Sequence, residues 1–224
     1  CDWSSDVCSS DLTGNVYLEG GTLNITVTAA ATKGIKSEGD VRISGGDITI
    51  KSTGSATWDS DDSEVKGAKC ISADGNMTIS GGTLNLTSTG SGGKGIKVDG
   101  TLTVSDNADL TVSTSGQIAY CSSSSDTTIR TATSSNTTEK LNDALKTSPK
   151  GIKADGAMSI TGGTMNVSAS YHEAIETKST LDISGGYIYA YSSDDAINSA
   201  STMTISGGCI MANSSGNDGL DSNG

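Results

Sequence analysis

Three acidic positions, Glu173, Asp195 and Asp218, follow one another at intervals of 22 and 23 residues. A second series, Glu176, Asn198 and Asp221, runs three residues behind with the same spacing. Asp194 and Asn217 add further oxygens next to the first series. If the chain stacks copy on copy, equivalent residues lie about 4.8 Å apart, and like charges at that distance repel unless a cation sits between them. Oxygen-only ligands from carboxylates, Asn and nearby carbonyls suit Ca2+. A plain acidic face is the other reading. His172 is read as a surface residue rather than a ligand or base.

Earlier in the chain the same columns are basic. Lys33, Lys69, Lys94 and Lys150 precede Glu173 in the first, and Lys36, Lys97 and Lys153 precede Glu176 in the second. Lys94, Lys97, Lys150 and Lys153 are candidate contacts for acidic sugars. Lys153 and Asp155 should face Glu176 and Lys178 as a surface ion-pair ladder, worth about 0–1 kcal/mol per pair. Tyr187, Tyr189 and Tyr191 alternate with inward Ile188 and Ala190. They should therefore project as an outward row in steps of about 6.7 Å, suited to stacking on sugar rings. The strand preference of tyrosine also accounts for such a row. Trp58 is a further candidate sugar contact.

A repeat must position all of these. One copy, Lys150 to Val167, reads KGIKADGAMSITGGTMNV, and the pattern recurs seven times with one degenerate copy at Ser105-Asp106-Asn107-Ala108. Its unit is 22 to 25 residues, with insertions at about 52–67 and 114–149. Apolar residues alternate with polar ones, as in Met158 and Ile160, then Met165 and Val167, which is a strand signal. Three short strands per unit, turned at glycines, predict an all-β right-handed single-stranded parallel β-helix, a solenoid of about seven rungs. Two inward columns follow: Leu18, Ile43, Ile79, Val104, Ile160, Ile183, Ile205, and Leu23, Ile48, Leu84, Leu110, Met165, Ile188, Ile210. The composition agrees, with 29 Gly, one Pro and no Phe. A narrow core takes small branched side chains, with glycine at the corners.

Residues 1–12 stand outside the repeat, and residues 2–12 resemble a translated sequencing adapter. The repeat domain is therefore placed at 13–224, and its last copy stops before its strand, so the chain is read as a fragment cut at both ends. The net charge of −12 argues against nucleic acid as a partner. Cys70, Cys121 and Cys209 form neither a disulfide framework nor a zinc pattern. The sequence shows no membrane span. The first insertion carries Asp59, Asp61, Asp62 and Glu64, a calcium loop without EF-hand spacing or a solvated acidic loop. The second contains Thr138–Lys146, read as a short helix with Leu141 and Leu145 on one side. Both insertions follow the second strand of a unit, so they should flank one edge of the fold.

Ser193-Asp194-Asp195-Ala196-Ile197, Asn217-Asp218-Gly219-Leu220-Asp221 and the repeated L-x-I-S-G-G resemble the bacterial carbohydrate-binding right-handed β-helix family, related to the pectate-lyase-like fold. The resemblance covers about Thr13 to Gly224. It implies a secreted or cell-surface protein that binds plant-type polysaccharides, with Ca2+ held at Asp194, Asp195, Asp218 and Asp221. Earlier copies depart from this pattern with KGIK. Two other functions stay open. One is a calcium-dependent pectate-type lyase, pairing a basic residue with Ca2+ against a uronate carboxylate. The other is a structural adhesin without a glycan ligand.

Overall fold

Hydrophobic alternation at period two makes strands of nearly every repeat segment, and they pair in parallel from copy to copy. The structure is a computed structural model that describes residues 14–224. The adapter-like reading of residues 1–12 lies outside the described residues. Both anticipated columns are present in register: Leu18 pairs with Ile43, Ile43 with Ile79, and so on to Ile205. Leu23 leads in the same way through Ile48, Leu84, Leu110, Met165 and Ile188 to Ile210. Ile35, Ile71, Ile96, Ile152, Ile175 and Ile197 form a third column, ending at Leu220. Apart from their exposed last members Ile205 and Leu220, these ladders make one contiguous core.

The single β-helix expected from the repeat is not what these strands build. Among the described residues they divide into four separate sheets, of eleven, seven, three and two strands. The two large sheets are parallel and enclose the core between them. The two small ones are antiparallel. The arrangement is all-β and layered, closer to a half-barrel or sandwich than to one continuous coil. The Gly-Gly pair supplies the reason. In the first copies it does not end a strand: Val16–Val27, Val41–Ser52 and Met77–Ser88 each run through it for 12 residues. The two segments that were to form separate faces are thus one sheet, shifted in register at the glycines. Gly46 (φ 98°) and Gly82 (φ 85°) show how it bends there, in a left-handed conformation that costs glycine little.

The insertions add the other two sheets. Thr57–Asp59 pairs with Glu64–Lys66, and Ile118–Tyr120 pairs with both Arg130–Ala132 and Lys146–Thr147. They share a small second core of Ala56, Val65, Ala119, Cys121 and Leu145. The insertions lie on one edge, as their common position in the repeat led one to expect, and they also pack together there. The helix anticipated over Thr138–Lys146 is absent. One short 3-10 turn, Asp143–Leu145, stands there instead, and another, Ser135–Thr137, precedes the stretch. Leu141 and Leu145 still share a side, against the small core.

Candidate functional site

The seven-stranded sheet carries the charged columns. Lys33, Lys69, Lys94 and Lys150 stack as neighbours across its strands. Lys36, Ser72, Lys97, Lys153, Glu176, Asn198 and Asp221 form the second row. The switch from base to acid occurs between Lys153 and Glu176, but Lys153 is not the partner of Glu176. Lys150 Nζ lies 2.8 Å from Glu173 Oε2 and 2.6 Å from Glu176 Oε2, and Lys178 Nζ lies 2.5 Å from Glu176 Oε1. The approach to Glu176 Oε2 is a charge contact without hydrogen-bond alignment. Glu176 is almost wholly buried. Burial would raise its pKa, but Lys150 and Lys178 outweigh burial and hold it below the usual carboxylate range.

The lysines are less open than a sugar-binding face requires. Lys94 and Lys150 are both buried, and Lys94 Nζ donates to Thr147 Oγ1 of the second insertion at 2.8 Å. Burial, then the neighbouring Lys69, pushes the Lys94 amine well down. Burial and the neighbouring Lys33 lower Lys69 to about 8. Lys97 and Lys153 reach the surface but share Asp155, and Lys97 also meets Asp99. Trp58 is half-buried against the small core, and the acidic run beside it closes on Lys66, which meets Asp59, Asp62 and Glu64.

The late acidic copies form two clusters. In one, Asn198 Nδ2 donates to Asp195 Oδ2 at 3.0 Å and to Asp221 Oδ2 at 2.8 Å. Asp195 Oδ1 also accepts the backbone N–H of Asp218 at 3.1 Å. Among the described residues no lysine or arginine forms a salt bridge with Asp195, Asp218 or Asp221. Two carboxylates thus converge on one small neutral donor. In the other cluster His172 Nδ1 contacts Glu173 Oε2 and lies 3.5 Å from Asp194 Oδ2. These three residues bring ligand atoms within 4.8 Å of one another. Asn217 Nδ2 donates to Asp194 Oδ1 at 3.4 Å. Burial, then the Asp195 charge, raises the Asp194 pKa.

His172 therefore departs from its reading as a surface residue. Its side chain is only 15% exposed, and burial, then Lys150, holds the imidazole neutral. Sequence spacing could not show this, because the cover comes from elsewhere in the chain. His172 borders a pocket of about 350 Å3 whose other walls, including Ser135, Thr138 and Lys146, belong to the second insertion.

The tyrosine row lies on the eleven-stranded sheet, in Tyr187–Ser192. Tyr187, Tyr189 and Tyr191 are 69%, 40% and 42% exposed, while Ile188 and Ala190 between them are buried. The strand before presents Thr164, Asn166 and Ser168 beside them, and the strand after presents Cys209, Met211 and Asn213. The result is a flat polar surface crossed by one aromatic row. Its strand leads within two residues into Asp194 and Asp195. No helix among the described residues is long and apolar enough to cross a membrane. A family model described as a carbohydrate-binding domain-containing protein matches residues 4–117 and 90–195. Neither the curated proteins nor the solved structures gave a match.

Proposed function

This chain belongs to the family of carbohydrate-binding domain-containing proteins, and from that premise we propose that it holds a polysaccharide on the exposed face of its eleven-stranded sheet, assisted by Ca2+ at the acidic copies. The tyrosine row carries the reading. Three phenols stand exposed to solvent at a strand's two-residue spacing, a surface on which the apolar faces of sugar rings stack while hydroxyls meet Thr, Asn and Ser. The acidic end fits a hard cation. Asp195 and Asp221 converge on one point, with Asp218 beside them, and oxygen donors at such closeness suit Ca2+. Bound there, Ca2+ would relieve the crowding of carboxylates. Because Asp194 and Asp195 follow the tyrosine strand, it would also fix that strand's end. A place outside the cell or on its surface accords with this role.

The test is depletion of the protein by insoluble polysaccharide. Tyr189→Ala and Tyr191→Ala should each weaken binding by about 1 kcal/mol, near fivefold. EDTA should weaken it further. Binding that EDTA leaves unchanged overturns the calcium part of the reading. A lyase is the second reading, favoured by the lysine column that stacks on the same sheet as the acidic copies. Release of unsaturated uronides from pectate would establish it.

A further inference from the structure

The eleven-stranded sheet carries a second feature, away from the charged columns. The degenerate copy replaces the glycine pair with Asp106 and Asn107. There the surface opens into a groove of about 460 Å3. Asp106, Asn107 and Asp109 form one wall, Thr164 stands midway, and Tyr187 closes the far end. Gly162, Gly163 and Gly186 line the space between. One paired row runs through it: Asp109 beside Thr164, and Thr164 beside Tyr187. With neighbouring strands about 4.8 Å apart, Asp109 and Tyr187 are roughly 10 Å from each other, enough for a sugar ring on the phenol and a second toward the carboxylate.

We infer that this groove is a binding subsite for a neutral, hydroxyl-rich glycan whose chain continues across the strands from the Tyr187 end of the tyrosine row. This rests on the polysaccharide reading above and gives it a place and a ligand class. The chemistry of the wall decides the class. Asp106, Asn107, Asp109 and Thr164 are all exposed, and among the described residues no cation forms a salt bridge with either carboxylate. Carboxylates without a cation beside them repel uronates but accept hydrogen bonds from paired sugar hydroxyls, and charge-assisted bonds are the strong ones. Glycine lining lets a ring approach the backbone closely. Tyr187, the most exposed of the three tyrosines, supplies the stacking face. Asp106 holds a left-handed φ of 52°, a conformation that costs a non-glycine residue energy. Asp106→Gly therefore removes the carboxylate while favouring the fold.

The experiment titrates the chain with hydroxyethyl cellulose, a neutral glycan, and with polygalacturonate, an acidic one, by affinity electrophoresis. Tyr187→Ala, Asp109→Ala and Asp106→Gly should each weaken binding of the neutral glycan at least fivefold. Asp182→Ala, on the same sheet outside the groove, should leave it unchanged. Wild-type binding of the neutral glycan that all three groove variants retain would overturn the subsite and leave the polysaccharide reading standing. Binding of polygalacturonate alone would overturn the ligand class. If the wild type binds neither glycan, the polysaccharide reading falls and the subsite with it.

Discussion

Glu176 shows how a single side chain can hold two halves of a surface together. It sits where the basic copies meet the acidic ones, buried between Lys150 and Lys178. Its neutral analogue should leave Lys150 with Glu173 alone, inside a low-dielectric pocket. Glu176→Gln is therefore expected to cost about 3–5 kcal/mol in denaturant unfolding. The pH dependence has a definite sign. The folded pKa is depressed below the ordinary value of 4.5, so this contribution is complete above that value and is lost as pH falls below it. The wild type should lose stability in acid more steeply than Glu176→Gln does. Spacing alone exposed the change from lysine to carboxylate and the stacking of Lys153 on Glu176. It could not choose Lys150 as the partner, because side-chain reach, not strand register, decides which ammonium arrives.

Between one copy and the next, backbone contact is as demanding as side-chain packing. A Cβ added to Gly90 would lie 1.9 Å from the carbonyl oxygen of Gly54, and one on Gly116 would lie 1.8 Å from that of Gly90. Backbone cannot yield as a flexible side chain can. Gly90→Ala is expected to lower the unfolding free energy by about 3 kcal/mol or more, whereas Gly14→Ala, with open space around it, should change it little. At this scale much was legible beforehand. Period-two alternation fixed the inward columns, and the recurring isoleucines fixed the register. The partition into sheets was not legible. A Gly-Gly pair reads as a turn, yet in the first three copies that carry it a strand bends through it without ending, so there a local signal was spent on curvature rather than on termination.

The molecule as a whole has a main core and a smaller one built by the two insertions. The smaller core covers the lysine column, since Thr147 receives the amine of Lys94 and Leu145 anchors the same segment. Leu145→Ala should loosen residues 118–147 without unfolding the main sheets. Hydrogen exchange should rise in that segment and around Lys94 while the strands around Ile152 stay protected. An even rise across the chain would show that the two cores unfold as one. The long intervals in the repeat located both insertions, but their mutual packing lay beyond spacing. It depends on Trp58, Val65, Leu141 and Leu145 meeting across different segments.

The strict alternation along Tyr187–Ser192 has one further consequence. Every second residue faces solvent, and its neighbours face the core. Thr164, Asn166 and Ser168 occupy the same outward places one strand earlier. The outer lettering can therefore be rewritten without disturbing what holds the page. Lineages of such chains can change their taste in ligands at nearly constant foldability, and a designer who set tyrosines at those three places would widen a single aromatic row into a paved floor.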